Sequence, residues 1–186
     1  PGEIVVTLAR AAPRMLAWDK VPQWLSHQVA WWVCVLGTGW VRPSAMAVFI
    51  AIHLWFTRSF WRREVQIMCW AVGLGFSADT CLVIFGAVDF EGAFSLGVVP
   101  LWMMSLWAGF GATLHHSQRA LLKNRQVALI VGALGGPAAY WGGERLGCLT
   151  IYEPFGLIAI GCAWAVVLVS LEHCLRRHEA SETRLL

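Results

Sequence analysis

Apolar runs of similar length alternate with short polar stretches along the whole chain. A hydrocarbon core about 30 Å thick needs about 20 mostly apolar helical residues, and packed helices can be somewhat shorter. Six segments fit this pattern: Trp24–Trp40, Pro43–Phe60, Val65–Phe85, Leu96–Leu114, Gln126–Trp141 and Phe155–Leu171. The sequence therefore predicts an all-α integral membrane protein, a six-transmembrane-helix bundle whose neighbouring helices are joined by short loops.

The segments outside this bundle are more polar. Near the N-terminus, Glu3, Thr7 and Arg10 share one helical stripe, whereas Ile4 and Leu8 lie on another, which predicts an interfacial amphipathic segment. A frayed tail is the alternative for this segment. The predicted domains are residues 1–21 as the cytoplasmic interfacial segment, 22–172 as the transmembrane domain and 173–186 as a polar cytoplasmic tail.

The cationic residues predict the orientation of the bundle, because cytoplasmic loops retain Lys and Arg during insertion. Alternate loops hold 12 of the 14 basic residues, and the intervening loops hold only Arg42 and Arg145. We therefore expect a multi-pass protein of the bacterial inner membrane, with both termini in the cytoplasm. The twelve cytoplasmic cations are Arg10, Arg14, Lys20, Arg58, Arg62, Arg63, Arg119, Lys123, Arg125, Arg176, Arg177 and Arg184.

The composition agrees with a lipid-facing surface, since 58% of the residues are hydrophobic and only 13% are charged. A net charge of +3, divided among short loop clusters, argues against nucleic acid as a partner. Twelve Trp and nine Phe favour membrane interfaces, and such rings also pack against partner helices or lipophilic ligands. The expected partners are membrane lipids, other membrane protein subunits or a second copy of the chain, and a lipophilic small molecule.

Asp79 is the most conspicuous polar residue, because it lies inside the third predicted span. A charge at that depth costs several kcal/mol unless it is paired, protonated or turned to a cavity. Gly75, one turn earlier, permits another helix to approach the carboxylate. We expect an intramembrane polar cluster of Asp79 with Tyr140, Glu144 and Arg145 from the fifth span, whose role is structural or functional.

The fifth span also has a stripe of small residues that includes Gly132, Gly136 and Gly143 and favours close helix packing. Pro137 removes one backbone donor within this span, which predicts a bend or a break.

Three histidines are secondary site candidates. With His115, the residues His27, His53 and His116 are predicted at the cytoplasmic side of the bundle, where they could ligate a metal or a haem, donate to a quinone carbonyl or hydrogen-bond between helices. No His-x-x-x-His pair or carboxylate stands at ligand spacing, and the six cysteines are scattered, so the sequence predicts no metal site. It indicates no particular cofactor, since Walker, G-x-G-x-x-G and G-x-S-x-G motifs are missing.

Several strings together resemble a family of small proteobacterial inner-membrane proteins known as a domain of unknown function. They are the His53-Leu54-Trp55 string, the Pro100-Leu101-Trp102 string, Thr113 to Ser117, and the run from Gly135-Gly136-Pro137 to Gly143-Glu144-Arg145-Leu146-Gly147. The resemblance spans about Leu25 to Leu171 and implies an inner-membrane location. It implies no reaction.

Two classes of function remain open from the sequence. The first is a small accessory or lipophile-binding protein that packs in a larger membrane complex or holds a lipid, quinone or pigment. The alternative is a membrane enzyme or carrier that acts on a lipophilic substrate through Asp79, Glu144 and Arg145. We favour the first, because no pair of groups has the spacing of a defined reaction.

Overall fold

The computed structural model describes residues 20–92 and 94–183. Most of the predicted interfacial segment, residues 1–19, lies outside this part of the chain. The described residues form six α-helices: α1 (20–36), α2 (Val41–Phe56), α3 (Trp61–Ile84), α4 (Leu101–Thr113), α5 (Arg125–Arg145) and α6 (Gly156–Thr183). Single 3-10 turns, Arg58–Phe60 and Arg119–Leu122, precede α3 and α5.

Each predicted span overlaps one of these helices, so the mostly helical fold is confirmed. Two helical stretches in the described residues, Arg58–Ile84 and Gly156–Ala180, are long and apolar enough to cross a membrane. Helix α2 is apolar but has only 16 residues. Length and composition therefore mark two of the six helices as candidate spans.

Four short strands correct the expectation of purely helical structure. They form two antiparallel pairs: β1 (Val88–Phe90) with β4 (Leu149–Ile151), and β2 (Ser95–Leu96) with β3 (Val99–Pro100). Because β2 and β3 use residues 95–100, α4 begins at Leu101 and not at Leu96 as predicted. The β1–β4 pair ties the end of α3 to the connection between α5 and α6.

The opposite end of the bundle is closed by charged side chains of α6. Glu179 accepts a hydrogen bond from Arg119 at 2.8 Å and lies 3.8 Å from Arg63. Arg176 pairs with Glu172 and also donates to the Lys123 carbonyl at 3.1 Å. Helix α6 continues to Thr183, and Arg176 and Glu179, which lie in the predicted polar tail, contact neighbouring elements.

Helix α5 remains continuous through Pro137, so the predicted break does not occur. A Cβ atom on Gly161 of α6 would lie 2.9 Å from the carbonyl oxygen of Ala133, the group that Pro137 deprives of its helical donor. The α6 backbone thus covers the weak point of α5.

Candidate functional site

Asp79 lies at the centre of a buried polar cluster formed by three helices. Its side chain has no exposed surface, and its Oδ2 accepts a hydrogen bond from the Trp107 indole nitrogen of α4 at 2.8 Å. Its Oδ1 accepts a hydrogen bond from the Tyr140 hydroxyl of α5. Both carboxyl oxygens are therefore satisfied inside the protein.

Gly75 makes this arrangement possible. It stands one turn before Asp79 on α3, and a Cβ atom there would lie 2.1 Å from the nearest ring carbon of Trp107. Without a side chain at this position, the indole lies against the α3 backbone, and its N–H reaches the carboxylate one turn further on. The close approach expected at Gly75 is thus made by Trp107, which the sequence argument did not include.

The other two predicted members of the cluster lie elsewhere. Glu144 accepts a hydrogen bond from the backbone N–H of Ile151 at 2.7 Å and holds β4 against the end of α5. Arg145 is exposed, and its guanidinium lies 5.2 Å from the centre of the Trp141 ring. The predicted cluster is corrected in this respect, because complementary charge at similar depth did not outweigh the local contacts at the end of α5.

Beside the cluster, a cavity of about 290 Å³ opens between α1, α4, α5 and α6. Tyr140 lines it, so one face of the cavity borders the Asp79 cluster. Trp107 and Trp164 form a tilted pair with centroids 4.6 Å apart, and Phe110 meets Trp164 edge-on at 5.8 Å. The large rings of the wall are Trp31, Trp32, Trp102, Trp107, Phe110 and Trp164.

Glycine on α5 gives Trp164 its position in this wall. A Cβ atom on Gly136 would lie 2.3 Å from Cγ of Trp164, so only glycine lets the ring lie against α5. The small-residue stripe of the fifth span therefore shapes the aromatic cavity as well as packing the helices.

His27 is the polar group that stands out in the cavity wall. It is 5% exposed, and neither of its ring nitrogens has a hydrogen-bond partner in the described part of the chain. The ring meets Phe49 edge-on, with centroids 5.3 Å apart. A buried polar group without a partner costs free energy, so a ligand atom or water in the cavity would stabilise it.

Cys148 belongs to the connection between α5 and α6, which lines one end of the cavity. Burial raises the pKa of its thiol, and the nearby Arg42 guanidinium opposes this rise. The Sγ–H donates to the Val35 carbonyl at 3.2 Å. All six cysteines are free thiols, and this one is held in an unreactive setting.

The two other candidate histidines converge on a residue that the sequence argument missed. His53 and His116 lie 3.1 Å and 3.2 Å from separate carboxylate oxygens of Glu64, which is 2% exposed. Glu64 follows Arg62 and Arg63 in the charged stretch before the third predicted span, so it was not predicted as a site residue. Its depth, which matches that of the two histidines, was the available signal. His27 lies in the aromatic cavity and not in this group.

A family model described as "Protein of unknown function (DUF2878)" matches residues 20–170. No curated protein and no solved structure matches the chain. The matched region contains the Asp79 cluster, the whole wall of the aromatic cavity and the histidine–glutamate group.

Proposed function

Because the chain belongs to the family described as a protein of unknown function (DUF2878), whose description names no activity, we propose a function from the site itself. The protein is a small integral membrane protein that holds a lipophile in its aromatic cavity. It packs beside other membrane protein subunits or a second copy of itself.

The surface of the bundle supports a position in the membrane. Many large apolar side chains project outward, which a water-facing surface disfavours and lipid accommodates. Examples are Val48, Ile52, Trp55, Leu134, Ile158 and Val166. We propose that all six helices cross the bacterial inner membrane and that both termini face the cytoplasm; the length and composition of α3 and α6 support this most directly.

His27 is the observation that carries the proposal of a bound lipophile. The cavity wall consists mostly of rings, which suits an apolar body, and the imidazole supplies one hydrogen-bonding group that lacks a partner in the described residues. An apolar pocket with few, well-placed polar groups is the usual design of a small-molecule site. A lipid ester, a quinone carbonyl or a pigment oxygen has the matching chemistry.

The alternative, an enzyme or carrier that works through Asp79, Glu144 and Arg145, has less support. Asp79 is sealed between Trp107 and Tyr140, and Glu144 and Arg145 contact other groups. None of these three side chains lines the aromatic cavity. A buried carboxylate with both oxygens satisfied fits a structural role.

The test is to purify the protein in mild detergent and to identify the bound lipophiles by mass spectrometry. We expect about one lipophile per wild-type chain, because the cavity accommodates one ring system or headgroup. Ala139→Leu should displace it, since Ala139 lines the cavity and the larger side chain enters the space. Ala138→Leu is the matched control, because Ala138 is exposed like Ala139 but is not part of the cavity wall.

His27→Leu tests the polar contact separately. Loss of one hydrogen bond in an apolar pocket should weaken binding by about tenfold. A folded, monodisperse wild type without any lipophile above the detergent background would refute the proposal. Equal binding by the Ala139→Leu and Ala138→Leu variants would place the ligand elsewhere and would also refute it.

A further inference from the structure

His53, Glu64 and His116 form a second buried group, separate from the aromatic cavity. His53 comes from α2, Glu64 from the first turn of α3, and His116 from the turn after α4. One ligand atom of each residue lies within 4.8 Å of the other two. The side chains of His53 and Glu64 are 2% exposed, whereas that of His116 is 26% exposed.

This spacing is close to that of a metal coordination shell. Zinc binds imidazole nitrogen and carboxylate oxygen at about 2.0 to 2.2 Å, which places neighbouring ligand atoms about 3.3 Å apart in a tetrahedral shell. Each histidine nitrogen lies near this distance from one oxygen of Glu64, 3.1 Å from Oε2 for His53 and 3.2 Å from Oε1 for His116, so the carboxylate would bind the ion through both oxygens or after a small rotation. Three protein ligands leave at least one position for water or a substrate, as in catalytic metal sites.

A cavity of about 420 Å³ adjoins the group and would give that position access. Gln23, His53 and His116 line it together with apolar side chains such as Phe49, Ile52 and Phe56. The cavity therefore joins a polar, ligand-rich wall to an apolar one.

Gln23 contacts the other side of His53. Its Nε2 lies 3.1 Å from His53 Nδ1 and donates to the Ala112 carbonyl at 3.0 Å, and its Oε1 accepts from the Ser117 N–H at 3.1 Å. These main-chain bonds fix the orientation of the Gln23 amide. Its N–H therefore donates to His53 Nδ1, and the Nε2–H of His53 donates to Glu64. A metal on Nε2 would replace that proton, and Nδ1 would then carry the hydrogen.

Metal loading must therefore turn the Gln23 amide and break its bonds to Ala112 and Ser117. Two main-chain hydrogen bonds are weak compared with ligation by two imidazoles and a buried carboxylate. The cost lowers the affinity of the site without preventing binding, and the amide in its new orientation would accept from Nδ1–H, as partners of metal-bound histidines do.

We propose that His53, Glu64 and His116 bind one divalent transition-metal ion of the zinc or ferrous-iron class. Two imidazoles and one carboxylate suit these ions, whereas calcium and magnesium prefer shells of oxygen ligands. His53 and His116 both line the cavity that contains Gln23, so a water or substrate could reach the ion from that cavity.

The test is zinc binding to detergent-purified full-length protein that carries no polyhistidine tag. After dialysis against Zn²⁺ and removal of the excess, elemental analysis should find about one zinc per wild-type chain. His53→Gln and His116→Gln should each lower the affinity by about tenfold or more, because each removes one ligand. His173→Gln is the matched control, since His173 is an exposed histidine on α6.

Nitrogen-15 NMR of the histidines gives an independent measurement. Zinc should move the proton of His53 from Nε2 to Nδ1, whereas His173 should not change. Glu64→Gln is informative only if it folds, so the partly exposed His116 is the principal variant. Less than about 0.1 zinc per folded wild-type chain would overturn the proposal and leave the group as a hydrogen-bonded network. Unchanged zinc binding in both histidine variants would overturn it as well.

Discussion

Asp79 has two carboxyl oxygens, and each accepts one hydrogen bond from a ring on another helix. Asparagine preserves one contact, because its carbonyl oxygen accepts from Trp107, but its amide can only donate to the Tyr140 oxygen and leaves the Tyr140 hydroxyl proton without its acceptor. We expect Asp79→Asn to lower the free energy of unfolding by about 1 to 3 kcal/mol, the cost of one unpaired buried donor. Asp79→Ala should cost about 1 to 3 kcal/mol for each donor that it leaves without a partner.

Thermal unfolding of both variants in the same detergent measures this difference. Equal losses of stability would contradict this explanation, since they would mean that the charge of Asp79 and not its hydrogen bonds stabilises the fold.

For individual residues, predicted membrane depth was a useful guide to which side chains meet, whereas complementary charge was a poor one. Depth brought Asp79 and Tyr140 into one hypothesis, because both lie in the outer halves of predicted spans. Glu64 also lies at the predicted depth of His53 and His116, but two arginines precede it in a charged stretch, and it was not predicted as a site residue. Trp107 was missed because an indole counts as apolar in a hydropathy pattern, although its N–H is a strong donor.

The glycines of α5 differ in how closely α6 packs against them, and only the three-dimensional structure shows this difference. A Cβ atom on Gly132 would lie 2.6 Å from the Trp164 carbonyl oxygen and 2.7 Å from the Ala165 Cα, so the α6 backbone itself would have to move. A Cβ atom on Gly135 would meet only the Val131 side chain at 3.9 Å. The same substitution should therefore have opposite effects at these two positions.

We expect Gly132→Ala to destabilise the protein by about 1 to 3 kcal/mol, because overpacking strains both helices. Gly135→Ala should be neutral or stabilising by up to about 1 kcal/mol, since alanine favours the helix. Unfolding midpoints of the two variants provide the comparison. A stable Gly132→Ala variant would show that α5 and α6 do not pack as closely as described.

The helices themselves could be predicted from the sequence, because each is an apolar run of helical length between polar segments. The strands could not. Val88-Asp89-Phe90 and Leu149-Thr150-Ile151 are too short to show a period, and their pairing joins residues about sixty positions apart. The close approach of Gly161 to the Ala133 carbonyl next to Pro137 likewise joins two helices, and no local pattern reveals it.

The two ends of the whole molecule differ in chemistry. Arg63, Arg119, Lys123 and Arg176 meet at the end that holds the last turns of α6. The strand pairs occupy the opposite end, where Arg42 contacts the Glu91 carbonyl at 3.3 Å. The uneven distribution of cations predicted from the sequence is thus also present in three dimensions, and it favours the first end as the cytoplasmic one.

Labelling with a membrane-impermeant maleimide tests this orientation in bacterial spheroplasts. The native cysteines are first replaced by serine, and single cysteines are then introduced as Arg62→Cys, Arg125→Cys or Asp89→Cys, all at exposed positions. Arg62→Cys and Arg125→Cys should react only after the membrane is permeabilised, because both precede or begin helices at the cation-rich end. Asp89→Cys should react in intact spheroplasts, since β1 lies at the other end.

If the two arginine positions reacted from opposite sides, an odd number of membrane crossings would lie between Arg62 and Arg125. The proposed six-helix arrangement would then be wrong, because the contacts that hold Arg63, Arg119 and Glu179 together require one common face.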